Sequence, residues 1–264
     1  MGKRFEGKRV FLTGASSGIG AAVAIALAKE GARVALAARR IEKLSEVVKQ
    51  IEASGGHAIA LTCDVTSRES IDTAVQQAVD AFGGIDIALA NAGMGIAGRF
   101  ERLSTDDFRK QFETNFFGLV DTIYATLPHL KSSRGQIGLV ASVSGRLGTP
   151  TTAAYSASKF AVVGLAESID VEFAKHGIGV TLINPGFVES EIRFLDNSGK
   201  FHPDRKDPAP AWLVVSADKA AQEILAALHR RKFEAIITGH GKAIAFTARH
   251  FPRIVRMIMH MNAK

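Results

Sequence analysis

Residues 13–20 read Thr13-Gly14-Ala15-Ser16-Ser17-Gly18-Ile19-Gly20. They follow a short apolar run, Val10 to Thr13, and open a stretch, 18–30, whose apolar positions fall three and four apart. Glycines let a backbone turn sharply and pass close to a phosphate. A helix N-terminus adds unpaired N–H groups and the positive end of its dipole. The stretch therefore predicts an anion cradle between a strand and a helix, at the start of a βαβ unit. An ordinary glycine-rich turn is the competing reading, and the rest of the chain weighs against it.

Working outward, short apolar runs alternate with longer helical stretches. Val10 to Thr13, Arg33 to Ala38, Ala58 to Cys63, Asp86 to Ala90, Gln136 to Ala141 and Gly179 to Asn184 read as strands, and Glu234 to Thr238 adds a last one. Rich in Val, Ile, Leu and Ala without clean alternation, they suit a sheet buried on both faces. Residues 18–30, 41–53, 67–82, 104–130, 153–176 and 218–231 read as helices, with Ser67, Ser104 and either Ser216 or Asp218 at N-cap positions. The expectation is an α/β fold, a Rossmann-like doubly wound parallel sheet of about seven strands with helices on both faces. Residues 1–240 form one domain in this reading. Within it, 186–217 break the rhythm with Gly186, Gly199, Pro203, Pro208 and Pro210, as a substrate lid would; a disordered surface insertion is the alternative. Residues 241–264 are a basic, amphipathic C-terminal extension.

The 264 residues suit one α/β domain with an ordinary globular balance of 47% apolar and 22% charged residues. The net charge is +7, and 229–264 supply all of it, with eight Lys/Arg against one acid, Glu234. The neutral remainder has no basic footprint for nucleic acid. A single cysteine, Cys63, excludes an internal disulfide and reads as a small buried residue before a reactive thiol. The charged Met1 to Arg9 segment does not read as a signal peptide, and no apolar run approaches a membrane span. The expected location is the cytoplasm.

The glycine spacing is G-x-x-x-G-x-G, and further motifs follow in order. They are Asp64 at the third strand's end, Asn91-Ala92-Gly93 after the fourth strand, and Asn115 in the long crossover helix. Ser142 comes thirteen residues before Tyr155, then Tyr155-Ser156-Ala157-Ser158-Lys159 and Pro185-Gly186 after the sixth strand. From about Gly7 to about Gly239 the chain resembles the short-chain dehydrogenase/reductase family, in its compact one-domain branch. The resemblance implies a hydride-transferring oxidoreductase acting on a carbonyl or alcohol carbon. It implies nucleotide contacts at Gly14, Ser16, Ser17, Gly18, Ile19, Gly20, Asp64, Val65, Asn91, Ala92, Gly93, Pro185, Gly186 and Val188. Asp64 would meet the adenine, and Ser190 would stand for the usual threonine on the carboxamide. Asn115 would anchor a water linking Lys159 to solvent, and Lys159 would hold the nicotinamide ribose. Ala141 stands where relatives often carry a second serine.

Two features are argued from the residues themselves. The second strand ends Ala37-Ala38-Arg39-Arg40, with no acid before Glu42. Arginine's fork suits a ribose 2′-phosphate, and an acid would suit a 2′-hydroxyl, so NADP(H) is expected ahead of NAD(H), with Ser16 adding a hydroxyl. Arg39 is the stronger of the pair by analogy with the family; the competing reading leaves both arginines in solvent. Tyr155 and Lys159 lie four apart, on one helix face. A nearby ammonium lowers a phenol's pKa from about 10 and suits it to proton transfer. Ser142, ahead of Ser144, would hydrogen-bond the substrate oxygen. No metal is expected at the site.

Leu147, Phe187, Phe194, Leu195, Trp212 and Leu213 are candidate pocket walls, or ordinary packing; a lipophilic ketone or alcohol is the preferred substrate. In the tail, Arg249, Arg253, Arg256 and His260 interleave with Phe251, Ile254, Val255 and Ile258, and Pro252 kinks the segment or starts a helix. Peripheral membrane contact through 242–260 and docking on the chain's own domain or a second subunit are weighed equally. A homodimer or homotetramer is expected from the resemblance. Two rival functions are a non-catalytic nucleotide sensor, expected to have lost Tyr155, Lys159 or Ser142, and sugar-nucleotide epimerase chemistry, whose branch usually carries a larger C-terminal substrate domain.

Overall fold

The computed structural model describes residues 3–202, 204, 205, 207 and 209–261, so Pro203, Pro208 and the last three residues of the extension lie outside the described residues. The strands are β1 (Arg9–Thr13), β2 (Arg33–Ala38), β3 (His57–Thr62), β4 (Ile87–Ala90), β5 (Gln136–Val140), β6 (Gly179–Pro185) and β7 (Glu234–Ile237). They form one parallel sheet in the order β3-β2-β1-β4-β5-β6-β7. The order reverses between β1 and β4, which opens a crevice at the carboxyl ends of those strands, where such sheets bind ligands.

Each strand sends alternate side chains to opposite faces. Val10, Leu12, Val34 and Leu36 pack under α1 (Gly18–Lys29), α2 (Ile41–Ala53) and α7 (Ala217–His229). Phe11, Ala35, Ala37, Ile137 and Leu139 pack under α3 (Arg68–Phe82), α5 (Gly118–Ser133) and α6 (Ala153–Ala174). Both faces of the inner strands are buried, so most of their positions are apolar and alternation is lost, with Thr181 and Asn184 among the buried polar exceptions. Ser67 and Ser216 cap α3 and α7 by accepting the Ser70 and Lys219 N–H groups, which selects Ser216 over Asp218.

The long crossover is not the one helix expected over 104–130. A capping box of Ser104 and Asp107 starts α4 (Thr105–Phe112), a π-helical turn covers Glu113–Phe117, and α5 resumes at Gly118. A hydrophobic repeat cannot register one wide turn inserted between two helices of the same period. The lid is also more ordered than its composition implies. Val188 bridges Val215, Arg193 pairs with Asp207 at 2.9 Å, and two 3₁₀ turns cover Glu191–Phe194 and Ala211–Leu213. After β7 come α8 (Gly239–His250) and α9 (Pro252–Met261); Pro252 begins a new helix.

Candidate active site

The glycine turn is shaped by close backbone approach. Gly14 has φ +68°, and a Cβ there would stand 2.7 Å from the Ala92 Cα; at Gly20 it would stand 2.2 Å from the Gly14 carbonyl oxygen. A side chain at either position would fill the cradle between β1 and α1. The turn is tied to the fourth strand. Asn91 donates from Nδ2 to the Thr13 and Gly14 carbonyls at 3.0 and 3.1 Å, and the Thr13 hydroxyl accepts from the Asn91 and Ala92 N–H groups. Asn91 and Ala92 thus brace the cradle from beneath. The glycines and the free N–H groups at the start of α1 fit a pyrophosphate.

At the end of β2 the structure separates the two arginines. Arg39 is exposed, whereas Arg40 donates to the Ser16 and Ser17 hydroxyls at 3.0 Å each. Arg40, not Arg39, therefore reaches the glycine turn. It also pairs with Glu191 at 2.8 Å, and Lys43 pairs with the other oxygen of Glu191 at 2.5 Å. Burial opposes the charge on Glu191, but bonds from Lys43 and Arg40 outweigh it and hold the carboxyl below its usual range. Neither Glu191 nor Lys43 was visible as a site residue, because nothing in a sequence sets a lid carboxylate against α2. Asp64 turns its carboxylate onto the Thr66 N–H and hydroxyl beside buried Val65.

Tyr155, Lys159 and Ser142 converge past the end of β5. Lys159 is buried, donates to the Val140 carbonyl at 2.8 Å and sits 5.8 Å from the centre of the Tyr155 ring. Burial pulls its pKa down to about 8. The expected lowering of the phenol's pKa by this ammonium is not found. Burial holds the Tyr155 phenol above its ordinary value, and the opposing pull comes from the Ser142 hydroxyl. The Ser142 oxygen also accepts from the Ser144 N–H at 3.1 Å.

Asn115 lies in the π turn, fully buried, with its Oδ1 accepting from Met94 N at 2.8 Å and its Nδ2 donating to the Met94 carbonyl and the Ser158 hydroxyl. This amide spends most of its bonds on protein, so it clamps the loop after β4. A Cβ on Gly93 would stand 3.3 Å from Asn115 Oδ1 and 3.7 Å from Lys159 Nζ, so the Asn-Ala-Gly stretch lies against both.

Pro185-Gly186 is held by two residues that no motif suggested. His240 Nε2 accepts from the Phe187 N–H at 2.9 Å, its ring stacks on Phe187, and the Thr238 hydroxyl lies 3.1 Å from that nitrogen. Thr238 is a buried β-branched residue at φ +83°, a costly conformation that surrounding contacts must impose. Burial lowers the His240 pKa, which suits a neutral acceptor. Ser190 stands against the start of α1, its Oγ 3.1 Å from where a Gly18 Cβ would be, and accepts from Ile192 N. Among the walls, Phe194 borders a cavity of about 760 Å³ beside Ser17, Gly18 and Ser190, whereas Trp212 is 83% exposed. The 186–217 segment is tied to the loop after β4 by Asn197, bonded to both Ala97 N and O at 3.1 Å. Cys63 is buried and pushed up to about 11, an inert thiol.

A family model described as short chain dehydrogenase matches residues 8–199. The chain belongs to the short-chain dehydrogenase family. It is 39% identical over 210 residues, 78% of its length, to 11-beta-hydroxysteroid dehydrogenase A of Arachis hypogaea, and spans 60% of that protein. It is 31% identical over 262 residues to the uncharacterized oxidoreductase YxnA of Bacillus subtilis, covering 97% of this chain and 72% of that one. Among solved structures, an alcohol dehydrogenase from the archaeon Thermococcus sibiricus, complexed with 5-hydroxy-NADP, superposes with a TM-score of 0.76 at 26% identity, covering 87% of this chain and 95% of its own. The family match ends at residue 199, so α7, β7, α8 and α9 lie outside it.

Proposed function

We propose that this chain is an NADP(H)-dependent oxidoreductase that moves a hydride between the nicotinamide and a carbonyl or secondary alcohol carbon of a lipophilic substrate. The observation that carries the reading is the gathering of a phenol, a hydroxyl and a buried ammonium at the carboxyl end of β5, beside a glycine cradle. The bound nicotinamide supplies or accepts the hydride. Tyr155 is the proton donor in reduction. Its burial keeps the proton on the oxygen until charge develops on the substrate, and Ser142 hydrogen-bonds that same substrate oxygen. Lys159 would hold the ribose of a bound nucleotide, and Asn115 steadies the neighbouring Gly93-Met94 stretch.

The nucleotide contacts follow the cradle: Gly14, Ser16, Ser17, Gly18, Ile19 and Gly20 for the pyrophosphate, Arg40 with Arg39 and Lys43 for the 2′-phosphate, Asp64 and Val65 for the adenine. Asn91, Ala92 and Gly93 line the middle, and Pro185, Gly186, Val188 and Ser190 the nicotinamide side. Two names support the cofactor and substrate class. The Thermococcus sibiricus structure holds 5-hydroxy-NADP, and the Arachis hypogaea relative is named for a hydroxysteroid. NAD(H) is the alternative nucleotide. A non-catalytic sensor would have no use for the retained trio.

The test is Tyr155→Phe, assayed by nicotinamide absorbance against a panel of ketones and alcohols. Turnover should fall at least about a hundredfold, since general acid catalysis is worth roughly 10²–10⁴. NADPH binding should stay within about twofold, because the ring and its packing remain. Wild-type turnover by this variant would refute the assignment.

A further inference from the structure

Helix α9 presents three distinct faces. Val255 and Met259, one turn apart, are half-buried, and α8 is the element α9 packs against. Ile254, Met257, Ile258 and Met261 follow the i, i+3, i+4, i+7 spacing of a single stripe, and they are 50, 58, 50 and 69% exposed. Arg253, Arg256 and His260 form the third face, about 120° round the helix from that stripe, and are exposed. The helix is therefore anchored by one edge and leaves a second apolar stripe open. Phe246 and Phe251, both exposed and 6.4 Å apart, continue that apolar surface across the α8–α9 bend.

Charge decides what this surface fits. No Asp or Glu follows Glu234 in the chain. Lys242 pairs with Glu223 at 3.1 Å, but among the described residues no carboxylate lies within ion-pair distance of Arg249, Arg253 or Arg256. A second copy of the chain meeting this face about a two-fold axis would bring the same arginines towards each other. An anionic lipid surface would instead take the apolar stripe into its acyl boundary and the arginines onto its headgroups. No helix among the described residues is long and apolar enough to cross a membrane, so the contact lies in the interface plane.

We propose that α9, with Phe246 and Phe251, is a docking surface for an anionic lipid membrane. The tail connects it to the site. Helix α8 starts at Gly239, packs on the Val143–Gly145 turn that follows Ser142, and carries the His240 that holds the Gly186 turn. Docking would therefore fix the catalytic end of the sheet relative to the membrane. The inference does not depend on the oxidoreductase reading, because its readout is binding.

The experiment is cosedimentation of the full chain with phosphatidylcholine–phosphatidylglycerol vesicles against pure phosphatidylcholine vesicles. Wild type should pellet at least about fivefold more with the anionic vesicles, and the difference should shrink at high salt. Ile254→Ser combined with Met257→Ser and Ile258→Ser should abolish pelleting with an unchanged melting temperature, since these side chains are exposed. Arg253→Gln with Arg256→Gln should weaken pelleting on anionic vesicles only. Equal pelleting by wild type and the triple variant, or no pelleting at all, would overturn the proposal. A triple variant that lost oligomer mass, from a wild type that ignored vesicles, would assign the face to a second copy and overturn it as well.

Discussion

In the NADP(H) reading proposed above, Glu191, paired with Arg40 and Lys43, would compete with the 2′-phosphate for both cations. Removing its charge should free both cations. Glu191→Gln is expected to tighten NADPH binding several-fold and leave NADH binding nearly unchanged, as charge-assisted contacts are stronger than neutral ones. Fluorescence titration of both nucleotides checks this, and equal shifts would argue against a phosphate site at Arg40. Lys159 gives a second residue-scale prediction. Its folded pKa is about 8, against an ordinary 10.5 in the unfolded chain. Between those values the unfolded state binds more protons, so stability rises with pH. The buried ammonium thus costs stability below pH 8, and the cost fades towards pH 10. Cofactor-free Lys159→Met should melt above wild type by a margin largest below pH 8 and shrinking as the pH rises. A constant margin from pH 7 to pH 10 would refute it. The motif spacing picked out Tyr155, Lys159, Ser142 and Asn115 as candidates, and the first three come together past β5 while Asn115 braces the loop after β4. Glu191, Thr238 and His240 escaped it because their partners are distant in sequence, and such pairings leave no local pattern.

At the level of elements, the π turn and the loop after β4 form one unit. Gln111 joins Asn115 there, accepting from Ile96 N at 2.6 Å and donating to the Met94 carbonyl at 2.8 Å. Asn115→Ala would leave the partly buried Met94 N–H without its acceptor and should cost about 1 kcal/mol. A urea denaturation midpoint lowered at constant slope would show it. An unchanged midpoint would mean that water replaces the amide. The strands and most helices were readable because their apolar period is local and the caps Ser67, Ser104 and Ser216 are chemical signals. The break at Glu113–Phe117 was not, since α4 and α5 keep one continuing apolar pattern across it.

For the whole molecule, the faces of α5 and α6 leave Tyr124, Phe160 and Val171 exposed, with Phe117 at the turn before α5. Large apolar side chains left open to solvent suit a self-complementary interface. We expect an oligomer in solution and a loss of mass on Tyr124→Glu with Phe160→Glu, read by light scattering. A wild-type monomer would sink that expectation. The same scale shows why the lid is ordered. Asn197 and Lys110 join its tip to the loop after β4 and to α4, and Arg193 with Asp207 folds its base. Glycine and proline content had suggested only irregularity, because composition carries no information about which distant carboxylate an arginine meets.

The order of strand, glycine turn and helix, and the two-sided burial of the sheet, were determined by the sequence, because hydrophobic period and backbone permissiveness act over a few residues. So was the presence of a phenol, an amine and a hydroxyl at family-like spacing in Tyr155, Lys159 and Ser142. The bonding of Arg40, rather than Arg39, to the glycine turn, the upward shift of the Tyr155 phenol, and the open stripe on α9 were decided by tertiary structure alone. Each depends on which surfaces exclude water, and desolvation is set by packing between segments far apart along the chain.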